Sequence, residues 1–273
     1  MTPPPFADLE LARTLEGGES ATSRLFCETA ASLYPDGGIR AVPGCGGCAQ
    51  FYGPSDPLSA VKGVGLDGPV AEHEWEALEE VYRPTQSPVV VDLCPLADDA
   101  FVAMLMRRGY TIGSFETVTC RRLDGPDDGA AERPPGVRIE PVGAARAREW
   151  TRIVGVGFAD GGEPARFAVD FGLVRAHMPH SAMLLATVHG APAGGAAITI
   201  HEGVAHMAGA AVLPQFRGRG IQRALTAARL RIARERGCTL AKLDVRAGSV
   251  SHRNAARCGF QVAYTRPQLV RRW

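Results

Sequence analysis

One stretch of the sequence constrains the rest. Residues 203–213 are an apolar run of small side chains and read as a strand. Residues 219–236 place Ile221, Leu225, Ala228 and Ile232 near the 3.6-residue period and read as a helix. Between them lies a loop rich in glycine and arginine, Gln215-Phe216-Arg217-Gly218-Arg219-Gly220. A strand that feeds a tight turn into a helix presents unpartnered helical N–H groups, and the positive end of the macrodipole, to whatever sits at the turn. Gly218 and Gly220 lack a Cβ and let an anion approach the backbone, while Arg217, Arg219 and Arg223 add mobile positive charge. The combination suits a phosphate or diphosphate. No Gly-Lys-Ser/Thr follows, so this is not a kinase-type P-loop. The plain alternative is an Arg/Gly-rich surface turn.

The order Val212-x-Pro214-x-Phe216-Arg217-Gly218-x-Gly220-Ile221 resembles the pyrophosphate-binding motif of the GNAT superfamily of N-acetyltransferases. The family's last small residue is Gln222 here, a departure that narrows the pocket or adds a hydrogen-bond donor. The resemblance implies acetyl-CoA as co-substrate. Arg217, Gly218, Arg219, Gly220, Ile221, Gln222 and Arg223 would lie at its pyrophosphate, and the backbone of Ala210, Ala211 and Val212 at pantetheine and thioester. Asn254, in Ser251-x-x-Asn254, resembles an asparagine that contacts the CoA arm in relatives; helix capping by Ser249 or Ser251 is the simpler role for its neighbours. The element order over 137–271 also matches a GNAT domain, so the likeness is not confined to the loop.

The first half carries an echo of the second. Val90-Val91-Asp92-Leu93, a helix, Arg108-Gly109-Tyr110 and a strand ending in Arg121-Arg122 parallel Lys242-Leu243-Asp244-Val245, a helix, Cys258-Gly259-Phe260 and a strand ending in Arg271-Arg272. The expected fold class is α/β (α+β), a tandem GNAT fold with mixed, mostly antiparallel central sheets flanked by helices. A degenerate first copy would occupy 1–123 and a cofactor-binding copy 137–273. They are joined by the polar Pro/Gly-rich linker 124–136. Helices are expected at 7–16 and 20–33, and a glycine-rich hairpin carries Cys45 and Cys48. That pair lacks the further ligands of a zinc site and does not open a helix as a thioredoxin pair does, so free thiols in a turn are expected. Gly63, Gly65 and Gly68 match Gly-x-Gly-x-x-Gly. The next helix starts only after Pro69, and the loop holds no arginine, which leaves a dinucleotide site there as a lesser alternative.

Catalytic groups are harder to read. Strand 203–212 lacks the glutamate many relatives place there. His206 is its one ionisable side chain, with Glu202 just before it; His206 is the candidate base or water-holder, or else a packed strand residue. The position of the family's leaving-group tyrosine falls on Ala255, which makes Tyr264 the nearest phenol. Asp160, Glu163, Asp170, His177 and His180 are candidates to meet a cationic acceptor. The expected reaction is direct transfer of an acetyl group from acetyl-CoA to a primary amine of a small molecule or peptide, without a metal. A non-catalytic acyl-CoA-binding module is the alternative. Net charge of +1 gives no field for nucleic acid, no apolar run reaches the ~18 residues of a membrane helix, and seven cysteines fit a reducing, cytoplasmic setting.

Overall fold

The alternating and small-residue runs pair into one sheet, not two. The computed structural model describes residues 6–125, 133–160, 162–163, 167 and 169–273, so most of the expected linker lies outside the described residues. In the first half, β1 (Arg40–Gly44), β2 (Gly47–Phe51), β3 (Ala60–Lys62), β4 (Val89–Asp92) and β5 (Thr111–Arg122) accompany α1 (Leu9–Leu33), α2 (Glu72–Glu79) and α3 (Asp99–Arg107). In the second, β6 (Val137–Val142), α4 (Ala147–Phe158) and α5 (Phe171–His177) lead into β7 (Ser181–Val188), β8 (Ala191–His201) and β9 (Val204–Val212). Then come α6 (Ile221–Glu235), β10 (Leu240–Val245), α7 (Val250–Arg257) and β11 (Gln261–Arg271). Short polar side chains start several helices: Asp8, Asp98, Asp170 and, as expected, Ser249 each accept a backbone N–H of the first turn.

The strand order is β1-β2-β3-β4-β11-β5-β10-β9-β8-β7-β6. Each half repeats one pattern: antiparallel strands, then a parallel pair, β3 with β4 and β9 with β10. The last strand of each half then crosses to the other. β11 pairs with β4, β5 pairs with β10, and β5 and β11 pair with each other at the centre. The sheet is therefore continuous across both halves, and the junction is made of backbone hydrogen bonds.

The expected break between two N-terminal helices is absent. α1 runs unbroken through Gly17-Gly18, a pair that disfavours a helix by about 1 kcal/mol per glycine relative to alanine. Packing overrides propensity. α1 lies over the junction, with Ala12 and Leu15 against Val118, Cys120, Val204 and Leu240 from both halves. At Gly18 the helix meets the ring of His206, and a Cβ there would stand 2.6 Å from Nε2. At Gly17 a Cβ would meet nothing within 4 Å. Gly17→Ala should therefore stabilise the fold by about 0.5–1 kcal/mol, while Gly18→Ala loses about 1–2 kcal/mol because overpacking exceeds the helical gain. Urea midpoints of the two variants moving in the same direction would refute this account of α1.

Two sequence features of the first half acquire structural roles. Cys45-Gly46 forms the two-residue turn of the β1–β2 hairpin, with φ of 56° and 82°, the left-handed pair that such turns require. Both Cys45 and Cys48 are free, and burial pushes their thiols up to about 11. The Gly63–Gly68 loop is packed rather than open. A Cβ at Gly65 would lie 2.4 Å from the Phe101 ring and one at Gly63 would lie 2.8 Å from Ser20, while Asp67 is bound by Arg13. That packing leaves the loop no cradle for a diphosphate.

Candidate active site

The site begins where two strands part. β9 and β10 run in parallel register only over Val204–His206 and Leu240–Lys242. Beyond that, β10 follows β5 while β9 follows β8, and a wedge opens between them. A bulge marks the same place. Gly195 faces Ala211 and Ala197 faces Ala208, so β9 carries one extra residue there. Gly209 sits in the bulge at φ +57°, and a Cβ on it would be 3.1 Å from Trp150. Residues 208–210, at the bulge, are half-buried.

On one side, β9 runs through a single helical turn, Pro214–Phe216, into α6. Gly218 and Gly220 both have φ of +75°, which bends the chain so that α6 starts with its N-terminus facing the wedge. The first backbone bond of α6 is Ala224 N–H to the Gly220 carbonyl, leaving the N–H groups of Ile221, Gln222 and Arg223 without a partner inside the helix. A cavity of about 640 Å³ opens here. Ala210, Ala211, Val212, Arg217, Gly218, Gly220, Ile221, Gln222, Arg223 and Asn254 all line it, so the expected cofactor residues converge with one exception. Arg219 stacks its guanidinium 5.6 Å from the Phe216 ring and does not line the cavity.

Arg217 differs from its expected role as a mobile charge. Its guanidinium donates to the carbonyls of Val212 (3.2 Å) and Gly157 (2.8 Å) and to the carboxylate of Asp160. It ties the loop to the end of α4, fixing the turn, while Arg223 and Arg257 bring positive charge to the cavity wall. Ser249 caps α7, which presents Asn254 to the same cavity.

A second cavity, about 340 Å³, lies across β9 from the first: Gly209 lines this one and Ala210 the other. Its floor is His206 to Gly209 with Lys242 and Asp244 of β10, and its other walls come from α1, β2 and α5. Beneath it runs a buried ion network. Arg266 of β11 contacts Glu16 (2.6 Å), Glu116 (2.7 Å), Glu19 (2.9 Å) and Asp244 (3.4 Å), and Lys62 contacts Glu19 (2.5 Å) and Asp92 (3.2 Å). Both halves supply both signs. Burial pushes the Asp244 carboxyl up to about 7; Glu19 and Glu116 act in the same sense, and Lys242 and Arg266 only partly offset them. Its Oδ2 accepts from Lys242 at 2.7 Å, while Oδ1 is buried with no partner among the described residues.

The candidate catalytic residues separate. His206 lies in the second cavity, but burial, with Lys242 beside it, pulls its pKa down to about 3. It is a neutral imidazole that holds a proton too weakly to serve as the base. Glu202 sits at the tip of the β8–β9 hairpin with its side chain 86% exposed, and lines neither cavity. Tyr264 is buried on β11, where its hydroxyl donates to Glu16 at 2.8 Å, and burial raises its pKa far above the usual range. Of the polar residues at 160–180, Asp160 is bound by Arg217, Asp170 caps α5, and His177 faces the Leu173 carbonyl. Arg175, which sequence reasoning passed over, reaches the cavity instead. Asp244, which the sequence offers both as the counterpart of Asp92 in the repeat and as an ionisable group on the strand after the central helix, with bonding to nearby backbone or an arginine as its plainer role, lines the second cavity.

Comparison with known proteins agrees with this geometry. Residues 141–260 match the family model described as the acetyltransferase (GNAT) family. A GCN5-related N-acetyltransferase from Kribbella flavida superposes with a TM-score of 0.62 at 22% identity, over 88% of this chain and 93% of that one. A tandem GNAT protein from the clavulanic acid biosynthesis pathway gives 0.61 at 18% identity, over 94% and 96%. A GCN5-related N-acetyltransferase from Sphaerobacter thermophilus gives 0.58 at 19%, over 73% and 67%. These are likenesses of fold, and the first two extend through both halves. No curated protein sequence matches the chain. Among the described residues no helix is long and apolar enough to cross a membrane.

Proposed function

We propose that this protein, an acyltransferase whose residues 141–260 match the acetyltransferase (GNAT) family model, transfers an acetyl group from acetyl-CoA to a primary amine by direct attack. The observation that carries this reading is the parting of β9 from β10 beside an open helix N-terminus. One cavity would take the diphosphate and pantetheine arm, and the other the acceptor. Ile221, Gln222 and Arg223 would hold the diphosphate through backbone N–H groups. The backbone at 210–212 would hold the arm, and Asn254 would contact it.

Asp244 is the base in this scheme. An ammonium entering the second cavity gives a proton to Oδ1, and the neutral nitrogen attacks the thioester carbonyl carbon. The carbon–sulfur bond breaks, and the second proton of the attacking nitrogen passes through water to the departing thiolate, while the proton on Asp244 later returns to solvent. A carboxylate poised near neutrality is suited to this exchange.

Calorimetric titration with acetyl-CoA tests the cofactor half. Gly220→Asp forces a side chain into left-handed backbone and puts a negative charge at the diphosphate, so binding should weaken by about a hundredfold or more. Arg217→Ala frees the loop from α4 and should weaken binding by about tenfold. Absence of acetyl-CoA binding, or binding indifferent to both changes, overturns the reading. Tight binding without thiol release on any amine would favour a non-catalytic acyl-CoA-binding module.

A further inference from the structure

Side-chain atoms that are buried without a hydrogen-bond partner are uncommon, and four of them belong to residues lining the second cavity: Gln50 Nε2, Arg175 Nε, His206 Nε2 and Asp244 Oδ1. Each leaves a desolvated group uncompensated, which proteins tolerate where a ligand supplies the missing partner. They differ in kind. Asp244 Oδ1 is an acceptor, beside the carboxylates of Glu19 and Glu116. Gln50 and Arg175 are donors.

Arg175 is the informative one. Among the described residues its guanidinium meets no carboxylate. It donates to the Thr199 hydroxyl at 2.9 Å and lies over the Phe26 ring, 5.4 Å from the centroid. Burial lowers its pKa to about 10, which still leaves it charged at neutral pH. An inward-facing guanidinium without a counter-ion fits a ligand that brings one. Every other buried cation of this cavity is already matched: Lys62 and Lys242 each bind Glu19 and an aspartate. The two charged ends are also kept apart. Thr199, His206 and Lys242 are register partners on β8, β9 and β10. The arginine's anchor and the lysine beside Asp244 therefore stand two strand spacings apart, about 10 Å.

We infer that the acceptor is an aminocarboxylate, its ammonium directed to Asp244 and its carboxylate to Arg175 with Gln50. The assignment of the ammonium end rests on the proposed function. The carboxylate end rests on the unpaired guanidinium alone. The first half, whose Gly63–Gly68 loop is packed shut, thereby supplies Gln50 and the Phe26 support of Arg175.

Because the cavity is already formed, binding is measurable without acetyl-CoA. Glycine, β-alanine, 4-aminobutyrate, 5-aminopentanoate and 6-aminohexanoate are titrated calorimetrically into the full chain, against straight-chain amines of the same lengths. At least one aminocarboxylate should bind tenfold or more tighter than its amine, about 1.4 kcal/mol. Arg175→Gln should erase that preference, and Arg175→Lys should retain part of it. Equal or weaker binding of every aminocarboxylate, or a preference that survives Arg175→Gln, overturns the inference. Acetyl-CoA binding, measured separately, reports on the proposed function: if it persists while the carboxylate preference fails, only the present inference falls.

Discussion

Arg266→Met should lower the unfolding free energy by about 3–5 kcal/mol, the usual effect of removing one partner from a buried ionic cluster. The guanidinium is fully buried and holds Glu16, Glu19, Glu116 and, at longer range, Asp92 and Asp244. Methionine fills much of the space but leaves those carboxylates facing one another. The cluster also sets an acid limit. Positive neighbours outweigh burial to hold the Glu19 and Asp92 carboxyls below their ordinary values. Such depressed groups stabilise the fold fully above the unfolded carboxylate range of about 4, and that contribution is lost as pH falls through the folded values. Arg266→Met should remove much of this acid sensitivity along with the stability. Denaturant titrations at neutral and acid pH measure both effects. A variant as stable as the parent at neutral pH would show that the network is incidental.

The largest effect on turnover is expected at Asp244. Asp244→Asn preserves volume and the bond to Lys242 but removes the proton acceptor, and kcat/KM should fall by about 10²–10⁴-fold with acetyl-CoA binding unchanged. The pH profile separates catalysis from packing. The carboxyl is pushed up to about 7, and its active form is the deprotonated one, so kcat/KM of the parent should rise with pH and level off above that value. The charged groups that face it are Lys242 of the same strand, Glu19 of α1, Glu116 of β5 and Arg266 of β11. In the asparagine variant the rising limb should vanish. A limb that persists unchanged assigns the titration to another group, and undiminished kcat/KM removes Asp244 from the mechanism.

The legible part of this protein was local. The strand, loop and helix at 203–236 share one short window, and spacing alone gave the turn, its glycines and the strand before them. What escaped involved partners far apart in the chain. Gly17-Gly18 reads as a helix break until His206, on a strand of the other half, is seen to need the gap. Arg217 reads as a ligand-seeking charge until Gly157 and Asp160 are seen to hold it. The repeat suggested two sheets. Nothing in the similar Gly-aromatic entries to β5 and β11 says which neighbour each strand will choose. Arg175 carried no signal at all, because its isolation is a property of what surrounds it in space.

The crossing of β5 and β11 has a consequence for how this chain can be cut. Without residues 1–123, β10 loses the strand that props one lip of the wedge, and β11 loses both of its neighbours. Scission between β5 and β6 removes none of the strand pairings among the described residues, so two separate pieces retain every described edge needed to recombine as a heterodimer. Such a molecule can be divided into complementing fragments but not pared down to a minimal enzyme, which ties the survival of the first half to the half that carries the proposed cofactor cavity.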